Sequence, residues 1–455
     1  MNLHALLTAR EQAGRPIRVG LIGAGKFGSM FLAQARRTPG MHVTGIADLS
    51  PTRAKAALQQ VGWPADCATA RTAQEALQHR TTWVTDDAAA LIAADGIEVV
   101  IDATGNPAAG IRHCLLAFEH GRHIVMVNVE ADALAGPLLA DRARRAGVVY
   151  SLAYGDQPAL ICEMVDWARA SGLHVVAAGK GTKYLPTYHD STPETVWQHY
   201  GLTAEQAEVG GLNAQMFNSF LDGTKSGIEM AAVANATGLT PPQHGLAFPP
   251  CNVEALASVL RPRADGGVLE GTGMVEVISS LDRNGQRLPR DLRWGVYAVF
   301  EAPDDYVARC FAEYGLATDD SGRYASMYKP FHLIGLELGI SVASVALRRE
   351  STGAPITWRG DVVATAKRDL AAGEMLDGEG GFCVWGKLMP AADSLAIGGL
   401  PIGLAHHCRL KHPVSRGAPL CWTDVDIDQN QECVQIRRTM EREFAPVPAA
   451  PTRVA

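Results

Sequence analysis

The sequence predicts an α/β protein with an N-terminal parallel sheet, a central α+β domain and a small β-rich domain near the C-terminus. Three observations carry this prediction. Strand and helix patterns alternate up to about residue 181, a stretch rich in aromatic residues and proline follows, and short glycine-rich strands run from about residue 357 to residue 427. With 455 residues, the chain is long enough for two or three domains with sizeable cores.

The overall composition excludes several classes of partner. A net charge of −7 gives no general attraction to nucleic acid or to an anionic membrane surface. The nine cysteines form no C-x-x-C pair, which is typical of reduced thiols in the cytoplasm. The longest apolar stretch, Phe331–Leu347, contains Glu337 and many small residues, and it predicts a packed helix rather than a membrane span. We therefore expect a cytoplasmic protein that binds neither nucleic acid nor membrane.

The first apolar strand leads into a Gly-x-Gly-x-x-Gly turn, which is followed by a helical pattern. In such a turn, Gly23 permits the tight bend, Gly25 lets a pyrophosphate approach the backbone, and Gly28 lets helix and strand pack closely. Lys26 and Phe27 lie inside the turn, where the free N–H groups at the start of the helix attract phosphate. The pattern predicts a dinucleotide-binding domain of the Rossmann type, with an ordinary strand-to-helix turn as the alternative.

A second apolar strand, residues 42–47, ends at Asp48, twenty residues after Gly28. An acidic side chain at this point accepts hydrogen bonds from the adenosine ribose of NAD and repels the 2′-phosphate of NADP. Arg53, and Lys26 inside the turn, would offset that repulsion. The residues leave the choice between NAD and NADP open.

Further apolar strands are separated by helical patterns and lie at residues 97–103, 123–128, 148–153 and 173–178. Ligands of open α/β sheets bind where the strands end. Thr104, Gly105 and Asn106 follow the first of these strands and are predicted to line the nicotinamide ribose, and Asn128 ends the second. The strands from residue 148 onward either extend this sheet or open the second domain.

Acidic residues raise the question of a divalent metal ion. Asp132 and Asp156 precede predicted helices and would either contact a ligand or cap those helices. With Glu130 and Glu229 they offer the oxygen ligands that Mg²⁺ or Mn²⁺ prefers. The histidines at 406, 407 and 412 have no second cluster of matching spacing and are predicted to be structural. The sequence leaves the metal ligands unassigned.

A single helix is predicted over Asn218–Gly238. On it, Lys225 and Glu229 form an i, i+4 pair, with Asp222 one turn earlier. A lysine between two acids can donate a proton to a carbonyl oxygen during hydride transfer, which makes these three residues the candidate catalytic group. The alternative is an exposed helix face held by salt bridges.

Basic residues near this helix are candidates for binding an anion. Gly179–Tyr184 reads as a glycine-spaced basic loop, in which Lys183, and less directly Lys180, would hold the phosphate or carboxylate of a small anionic substrate. Lys329 is a further candidate. The alternative for each lysine is a solvated surface position. After this loop, residues 272–281 and 293–301 predict strands joined around a turn at Asn284-Gly285.

These motifs resemble known families. Gly23–Gly28, Asp48, Asp102–Pro107 and Asn128 resemble the cofactor domain of homoserine dehydrogenases. The segments that resemble the 1-deoxy-D-xylulose 5-phosphate reductoisomerase-like family are Asn218–Thr237, Tyr328–Leu333 and Val363–Ile427. That family joins a homoserine-dehydrogenase-like Rossmann domain to its own catalytic domain and a C-terminal SAF (β-clip) domain. Arg368–Glu374, Pro401–Leu404 and Val414–Asp424 carry the resemblance to the SAF domain.

The resemblance implies a domain division and a reaction. It implies a Rossmann domain over 1–155, a catalytic and dimerisation domain over 156–355 and an SAF domain over 356–430. Residues 431–455 form a tail that is predicted to be partly disordered, because it is rich in proline and alanine after Glu443. The resemblance also implies a homodimer and NAD(P)H-dependent reduction, coupled in some members to rearrangement of a sugar phosphate or branched sugar acid. Homoserine dehydrogenases carry Asn-Lys where this chain has Asn128-Val129, which argues against homoserine as the substrate.

The sequence therefore predicts an NAD(P)-dependent oxidoreductase, with a reductoisomerase as the leading hypothesis. A simple alcohol or aldehyde dehydrogenase is the alternative among enzymes. A cofactor-binding sensor without catalytic activity is the alternative outside enzymes.

Overall fold

The computed structural model describes residues 2–209 and 212–445. It divides into two compact units. The first unit comprises the chain up to Glu163 together with His332–Ile356, and the second comprises Met164–Phe331 together with the chain from Thr357 onward. Of the tail predicted to be disordered, residues 446–455 lie outside the described residues.

The helices and strands alternate through the first 170 residues. In chain order they are α1 (Leu3–Gln12), β1 (Ile17–Ile22), α2 (Lys26–Ala35), β2 (Met41–Ala47), α3 (Pro51–Gln60), α4 (Ala73–His79), β3 (Trp83–Thr85), α5 (Ala88–Ala93), β4 (Val99–Asp102), α6 (Pro107–Glu119), β5 (His123–Met126), α7 (Val129–Arg145), β6 (Tyr150–Leu152) and α8 (Gln157–Ala170).

The rest of the chain is richer in strands. Its elements are β7 (His174–Thr182), α9 (Val196–Tyr200), α10 (Ala204–Val209), α11 (Ala214–Leu221), α12 (Thr224–Thr237), α13 (Leu256–Val259), β8 (Met274–Ser279), β9 (Val296–Glu301), α14 (Asp305–Glu313), β10 (Tyr324–Lys329), α15 (Gly339–Arg348), β11 (Gly360–Ala366), β12 (Met375–Asp377), β13 (Val384–Pro390), α16 (Ala391–Ile397), β14 (His406–Leu410), β15 (Val425–Asp426) and α17 (Glu432–Glu443). Within the described residues, no helix is both long and apolar enough to cross a membrane.

The first unit is built on the predicted parallel sheet, with strand order β3-β2-β1-β4-β5-β6. The strands are continuous apolar runs because helices cover both faces, and Val99, Val100 and Ile101 are fully buried. The helix predicted within Phe331–Leu347 begins only at Gly339, and Val342 and Val345 of α15 join the core of this sheet.

The second unit contains a mixed sheet of order β10-β9-β7-β8. The strand predicted at residues 173–178 is β7, which opens this sheet instead of extending the first. The sequence suggested that β8 and β9 adjoin through the Asn284-Gly285 turn. They instead flank β7 on opposite sides, because β7 pairs in parallel with β8 and antiparallel with β9.

The single helix predicted over Asn218–Gly238 is wrong, because the chain breaks between α11 and α12. Gly223 takes φ = +91° at the break, a left-handed conformation that glycine adopts without steric cost. The second helix, α12, packs against β7, β8, β11 and β13 and is buried along nearly its whole length. The predicted exposed face is therefore absent from α12.

The C-terminal strands form small antiparallel sheets, β11 with β13 and β12-β14-β15. Inside the segment predicted as a tail, α17 is an ordered helix fixed by one buried ion pair. Arg437 donates from Nη1 to Asp361 Oδ1 at 3.0 Å and from Nη2 to Asp361 Oδ2 at 2.5 Å, and both side chains are almost fully buried. Arg437 also lies over the ring of Trp358, 4.9 Å from its centre.

Replacing Arg437 by Met should destabilise the protein by about 3–5 kcal/mol, because it leaves the Asp361 carboxylate buried without its partner. Chemical denaturation measures the change. Arg442→Met, on an exposed position of the same helix, is the matched control and should cost less than about 0.5 kcal/mol. Equal losses for the two variants would contradict this account of α17.

Candidate functional site

The glycine turn of the first unit has the geometry that a pyrophosphate requires. Gly23 takes φ = +93°, and a Cβ there would lie 2.8 Å from the carbonyl oxygen of Ala103. A Cβ on Gly28 would lie 2.2 Å from the carbonyl oxygen of Gly23, so only glycine lets α2 start this close to the turn. A Cβ on Gly25 would meet nothing within 4 Å. The turn therefore leaves open space at Gly25, at the N-terminus of α2, where Lys26 and Phe27 begin the helix.

Asp48 is held beside this turn by backbone and side-chain donors. Its Oδ2 accepts from the Ala24 N–H at 2.9 Å, and its Oδ1 accepts from the Ser50 N–H at 2.8 Å. Arg53 donates to Oδ1 at 2.6 Å, with most of its guanidinium side chain in solvent. Leu49, next to this acid, is 93% exposed, an apolar surface that sequence patterns did not single out. The signal in the sequence is a leucine that directly follows the acid at the end of a strand.

The loops predicted to line the nicotinamide ribose are tied to one another. Asn128, almost fully buried, donates from Nδ2 to Thr104 Oγ1 at 3.1 Å and to the Asn106 carbonyl at 2.8 Å. Thr104 in turn donates from Oγ1 to Asp102 Oδ1 at 2.7 Å. Gly105 takes φ = +66° at the tip of the loop. The structure therefore brings Thr104, Gly105, Asn106 and Asn128 together, with Asn128 acting as the anchor of the loop.

Asp102 has a second partner that the sequence did not suggest. The Nδ1 atom of His113, on α6, lies 2.6 Å from Asp102 Oδ2, and both groups are largely buried. Asn106 caps the same helix by accepting from the Ala109 N–H at 2.9 Å. These hydrogen bonds satisfy the buried carboxylate at the end of β4 and the free N–H groups at the start of α6. They hold the strand end in place without a ligand.

The acids considered for a metal ion have other roles. Asp132 lies inside α7 rather than before it, and Asn128 caps that helix instead. Asp156 does precede α8, and its carboxylate accepts from the Gln157 N–H at 2.9 Å. Glu229 pairs with Lys180. Among the described residues, no three His, Cys, Asp or Glu side chains are arranged to hold a metal ion.

Asp132 is a buried acid with an unusual pKa. Its Oδ1 accepts from the hydroxyl of Tyr150 at 2.7 Å, while its Oδ2 has no hydrogen-bond partner among the described residues. Burial raises the pKa of the Asp132 carboxyl to about 7, and the hydrogen bond from Tyr150 opposes that shift. Ionisation of the Asp132 carboxyl near neutral pH therefore destabilises the folded state.

In the second unit, the two acids of the predicted catalytic group pair with other lysines. The Asp222 carboxylate lies 2.7 Å from Lys367 Nζ, and it also accepts from the Thr224 N–H at 2.9 Å. The Glu229 carboxylate pairs with Lys180, with both side chains buried. Lys225 is half-buried in the first turn of α12. The predicted arrangement, with both acids serving Lys225, is thus replaced by two ion pairs that hold α12.

Lys367 is a residue of this cluster that sequence reasoning missed. It lies 145 positions after Asp222, directly after β11, and no motif links the two. Its Nζ also donates to the carbonyl oxygens of Ser191 and Gly381, each at 2.8 Å. A lysine in a short apolar strand pattern, such as Val362–Lys367, is the only signal in the sequence that it is buried.

The segment predicted as a basic loop, Gly179–Tyr184, is mostly strand β7. Its glycines admit neighbouring backbone rather than a ligand, because a Cβ on Gly179 would lie 1.8 Å from the carbonyl oxygen of Glu276 and one on Gly181 would lie 2.0 Å from that of Leu292. Lys183 follows the end of β7, and its Nζ donates to the carbonyl oxygen of His199.

The pairing of the strands brings three basic residues to one edge of the mixed sheet. Lys183 directly follows β7, and Arg293 lies three positions before Val296, the first residue of β9. Lys329 ends β10 opposite Val296, the first residue of β9. Since β9 is antiparallel to β7 and to β10, the end of β7, the start of β9 and the end of β10 meet there. Lys183 and Lys329 were predicted as anion ligands, and Arg293 was not.

Two segments of the chain match models of oxidoreductase domains. Residues 17–127 match the model of an oxidoreductase family with an NAD-binding Rossmann fold. Residues 155–338 match the model described as the catalytic domain of the oxidoreductase DRL. Over these two segments the chain is similar to oxidoreductases, and the first segment matches an NAD-binding Rossmann domain.

The solved structures similar to this chain include a biliverdin reductase and two dehydrogenases. Biliverdin reductase from Synechocystis, solved with biliverdin and NADP⁺, is 19% identical over 38% of this chain and 51% of its own, with a TM-score of 0.25. The WlbA dehydrogenase from Bordetella pertussis, solved with NADH and UDP-GlcNAcA, is 16% identical over 38% of this chain and 49% of its own, with a TM-score of 0.27.

A probable dehydrogenase from Thermotoga maritima is 11% identical over 73% of this chain and 90% of its own, with a TM-score of 0.35. The matched part of the chain spans about half the length of the first two of these relatives. Likeness at this level carries no information about the substrate of this chain. No curated protein matches the chain significantly.

Two glycine variants separate the fold of the turn from its ligand. Gly25→Ala should leave the melting temperature of the free protein unchanged, because its Cβ meets open space, yet weaken NAD(P)H binding roughly tenfold or more, because a methyl group would occupy the path of the pyrophosphate. Gly28→Ala should lower the melting temperature itself, since its Cβ would collide with Gly23. Calorimetric melting and titration with both cofactors measure the two effects. Undiminished binding by Gly25→Ala would contradict the proposed pyrophosphate position.

Asp132→Asn should make the protein less sensitive to rising pH. A carboxyl whose pKa is raised in the folded state contributes stability that is complete below its unfolded pKa and is lost as pH rises through the folded value, which is about 7 here. Between pH 5 and pH 8, the unfolding free energy of the wild type should fall by roughly 2–3 kcal/mol more than that of the variant. Denaturation at several pH values measures this, and parallel pH profiles would refute it.

Proposed function

We propose that the protein is an NAD(P)H-dependent reductoisomerase that acts on a small polyhydroxylated anion, a sugar phosphate or a sugar acid. The observation that carries the proposal is the grouping of basic side chains within residues 155–338, the segment that matches an oxidoreductase catalytic domain. Lys183, Arg293 and Lys329 share one edge of the mixed sheet, and Lys225 belongs to α12, which packs against β7 of that sheet. Such a surface favours an anionic substrate over a neutral one.

The cofactor, when bound, supplies a hydride to a carbonyl carbon. The open space at Gly25 and the Asp48 carboxylate support binding of its pyrophosphate and adenosine ribose. Thr104, Gly105 and Asn106, anchored by Asn128, support binding of the nicotinamide ribose. The arrangement fits both NADH and NADPH, because Arg53 stands beside Asp48 with its side chain largely in solvent.

Lys225 is proposed as the residue that donates a proton to the carbonyl oxygen as the hydride arrives. It lies in the first turn of α12. The Asp222–Lys367 pair holds the chain two residues before this helix, and the Glu229–Lys180 pair holds the helix itself. These two pairs act on Lys225 through the position of α12, so Asp222 and Glu229 are positioning residues. Lys183 is proposed to neutralise the anionic group of the substrate.

Lys225→Met should reduce turnover about 100-fold or more while leaving cofactor affinity unchanged, because it removes the proton donor and leaves the Rossmann unit intact. Loss of NAD(P)H absorbance with a panel of sugar phosphates and aldonates measures turnover, and Lys411→Met, at an exposed position, is the control. Full turnover by Lys225→Met would remove this residue from the mechanism.

The carbon skeleton of the product distinguishes a reductoisomerase from a simple dehydrogenase. With ¹³C-labelled substrate, a reductoisomerase changes the carbon–carbon connectivity seen by NMR. Reduction with an unchanged skeleton would identify a simple dehydrogenase, and cofactor binding without hydride transfer to any member of the panel would favour a sensor.

A further inference from the structure

Lys183 and Arg293 are two cations that share one aromatic ring. Lys183 Nζ lies 5.7 Å from the centre of the Tyr200 ring, and Arg293 Cζ lies 5.8 Å from the same centre. The two residues are neighbours because β7 pairs with β9, and the Gly181 N–H donates to the Gly295 carbonyl at 3.0 Å. Tyr200 ends α9. The two cations and the ring therefore come from three separate places in the second unit: the end of β7, the start of β9 and the end of α9. We call Lys183, Arg293 and Tyr200 the cation pair site.

Within the part of the chain that the structure describes, no acidic side chain lies within ion-pair distance of either cation. Lys183 Nζ donates to the carbonyl oxygen of His199, and the Arg293 guanidinium also lies over the ring of Trp294, 4.6 Å from its centre. Two acids lie near the site. Asp291 accepts from Arg287 at Oδ2, at 2.6 Å, and from the backbone N–H of Arg293 at Oδ1, and Asp222, whose charge acts on Tyr200, is paired with Lys367. Neither cation is neutralised by the protein.

The positive charges of Lys183 and Arg293 repel one another. Partial burial lowers the pKa of the Lys183 ammonium, and the positive charge of Arg293 lowers it further. The pKa of His199 is lowered too, by burial and then by Lys183. Holding like charges in a half-buried place costs free energy, which an added anion would recover. The site is therefore preorganised for a negatively charged ligand.

We propose that Lys183 and Arg293 together bind the phosphate group of a sugar phosphate and select it over the carboxylate of a sugar acid. Two cations match a phosphate dianion, whereas a carboxylate would leave one positive charge without a partner. The planar guanidinium of Arg293 can engage two phosphate oxygens at once, and the Lys183 ammonium supplies a point charge to the third. Assigning this phosphate to the substrate rests on the function proposed above, whereas the anion site itself does not.

Titration of the full-length protein with inorganic phosphate tests the site without turnover. At pH 8.5 and constant ionic strength, the wild type should bind phosphate, and Lys183→Gln and Arg293→Gln should each weaken binding about tenfold or more. Arg309→Gln is the matched control, because Arg309 also lies over a tyrosine ring, that of Tyr306 at 5.9 Å, but in an exposed place. Acetate should bind at least about tenfold more weakly than phosphate.

Proton uptake gives a readout that a purely structural role would not move. Because burial and the positive charge of Arg293 lower the pKa of Lys183, a bound dianion should raise it, and over the pH range in which Lys183 titrates binding should draw a proton from the buffer. The binding heat should therefore differ between buffers of different ionisation enthalpy, and Lys183→Arg should abolish that difference while keeping most of the affinity. This variant also serves if Lys183→Gln fails to fold.

The outcomes separate this proposal from the function on which it builds. Absence of phosphate binding by the wild type, equal affinity for acetate, or an equal loss in Arg309→Gln would overturn the cation pair site. If the protein binds phosphate but transfers no hydride to any phosphorylated sugar, the anion site is supported and the proposed reductoisomerase activity is contradicted.

Discussion

The second unit depends on the pairing of charges on and beside one buried helix, α12. A charge taken out of water is costly unless a partner of opposite sign lies in contact with it. Glu229 meets this condition with Lys180 of β7, and Asp222 meets it with Lys367, which follows β11. The first pair joins α12 to the sheet of β7, and the second joins the chain two residues before α12 to the residue that follows β11. The position of Lys225 follows from them.

The first unit prepares its ligand site by a different route, with neutral hydrogen bonds and glycines. Asn128 ties Thr104 to Asn106, and Asp48 is held by the backbone of the glycine turn itself. These contacts leave the backbone rigid, while the space at Gly25 stays open. Rigid loops around an open position are what allow a cofactor to bind without a large loss of conformational entropy.

Local patterns predicted much of this protein because the forces behind them are local. The glycine turn, the acid that follows it and the parallel strands could be predicted, since steric limits and apolar periodicity act over a few residues. The helix break at Gly223 was missed, because helical patterns on both sides of Asp222-Gly223 conceal a single left-handed residue. The glycines of β7 were misread as a ligand loop, because their close neighbours, such as Leu292, are distant in sequence.

The sequence by itself determined local features of the first unit: a strand, a Gly-x-Gly-x-x-Gly turn and Asp48 lie within about thirty consecutive residues and predict dinucleotide binding. Only the tertiary structure decided which charges neutralise each other. Lys367 reaches Asp222, Lys180 reaches Glu229, and Arg293 stands beside Lys183 because strand pairing and burial bring them together. The physical reason is that charge interactions depend on distance and burial in space, and neither quantity is written in the spacing of residues along a chain.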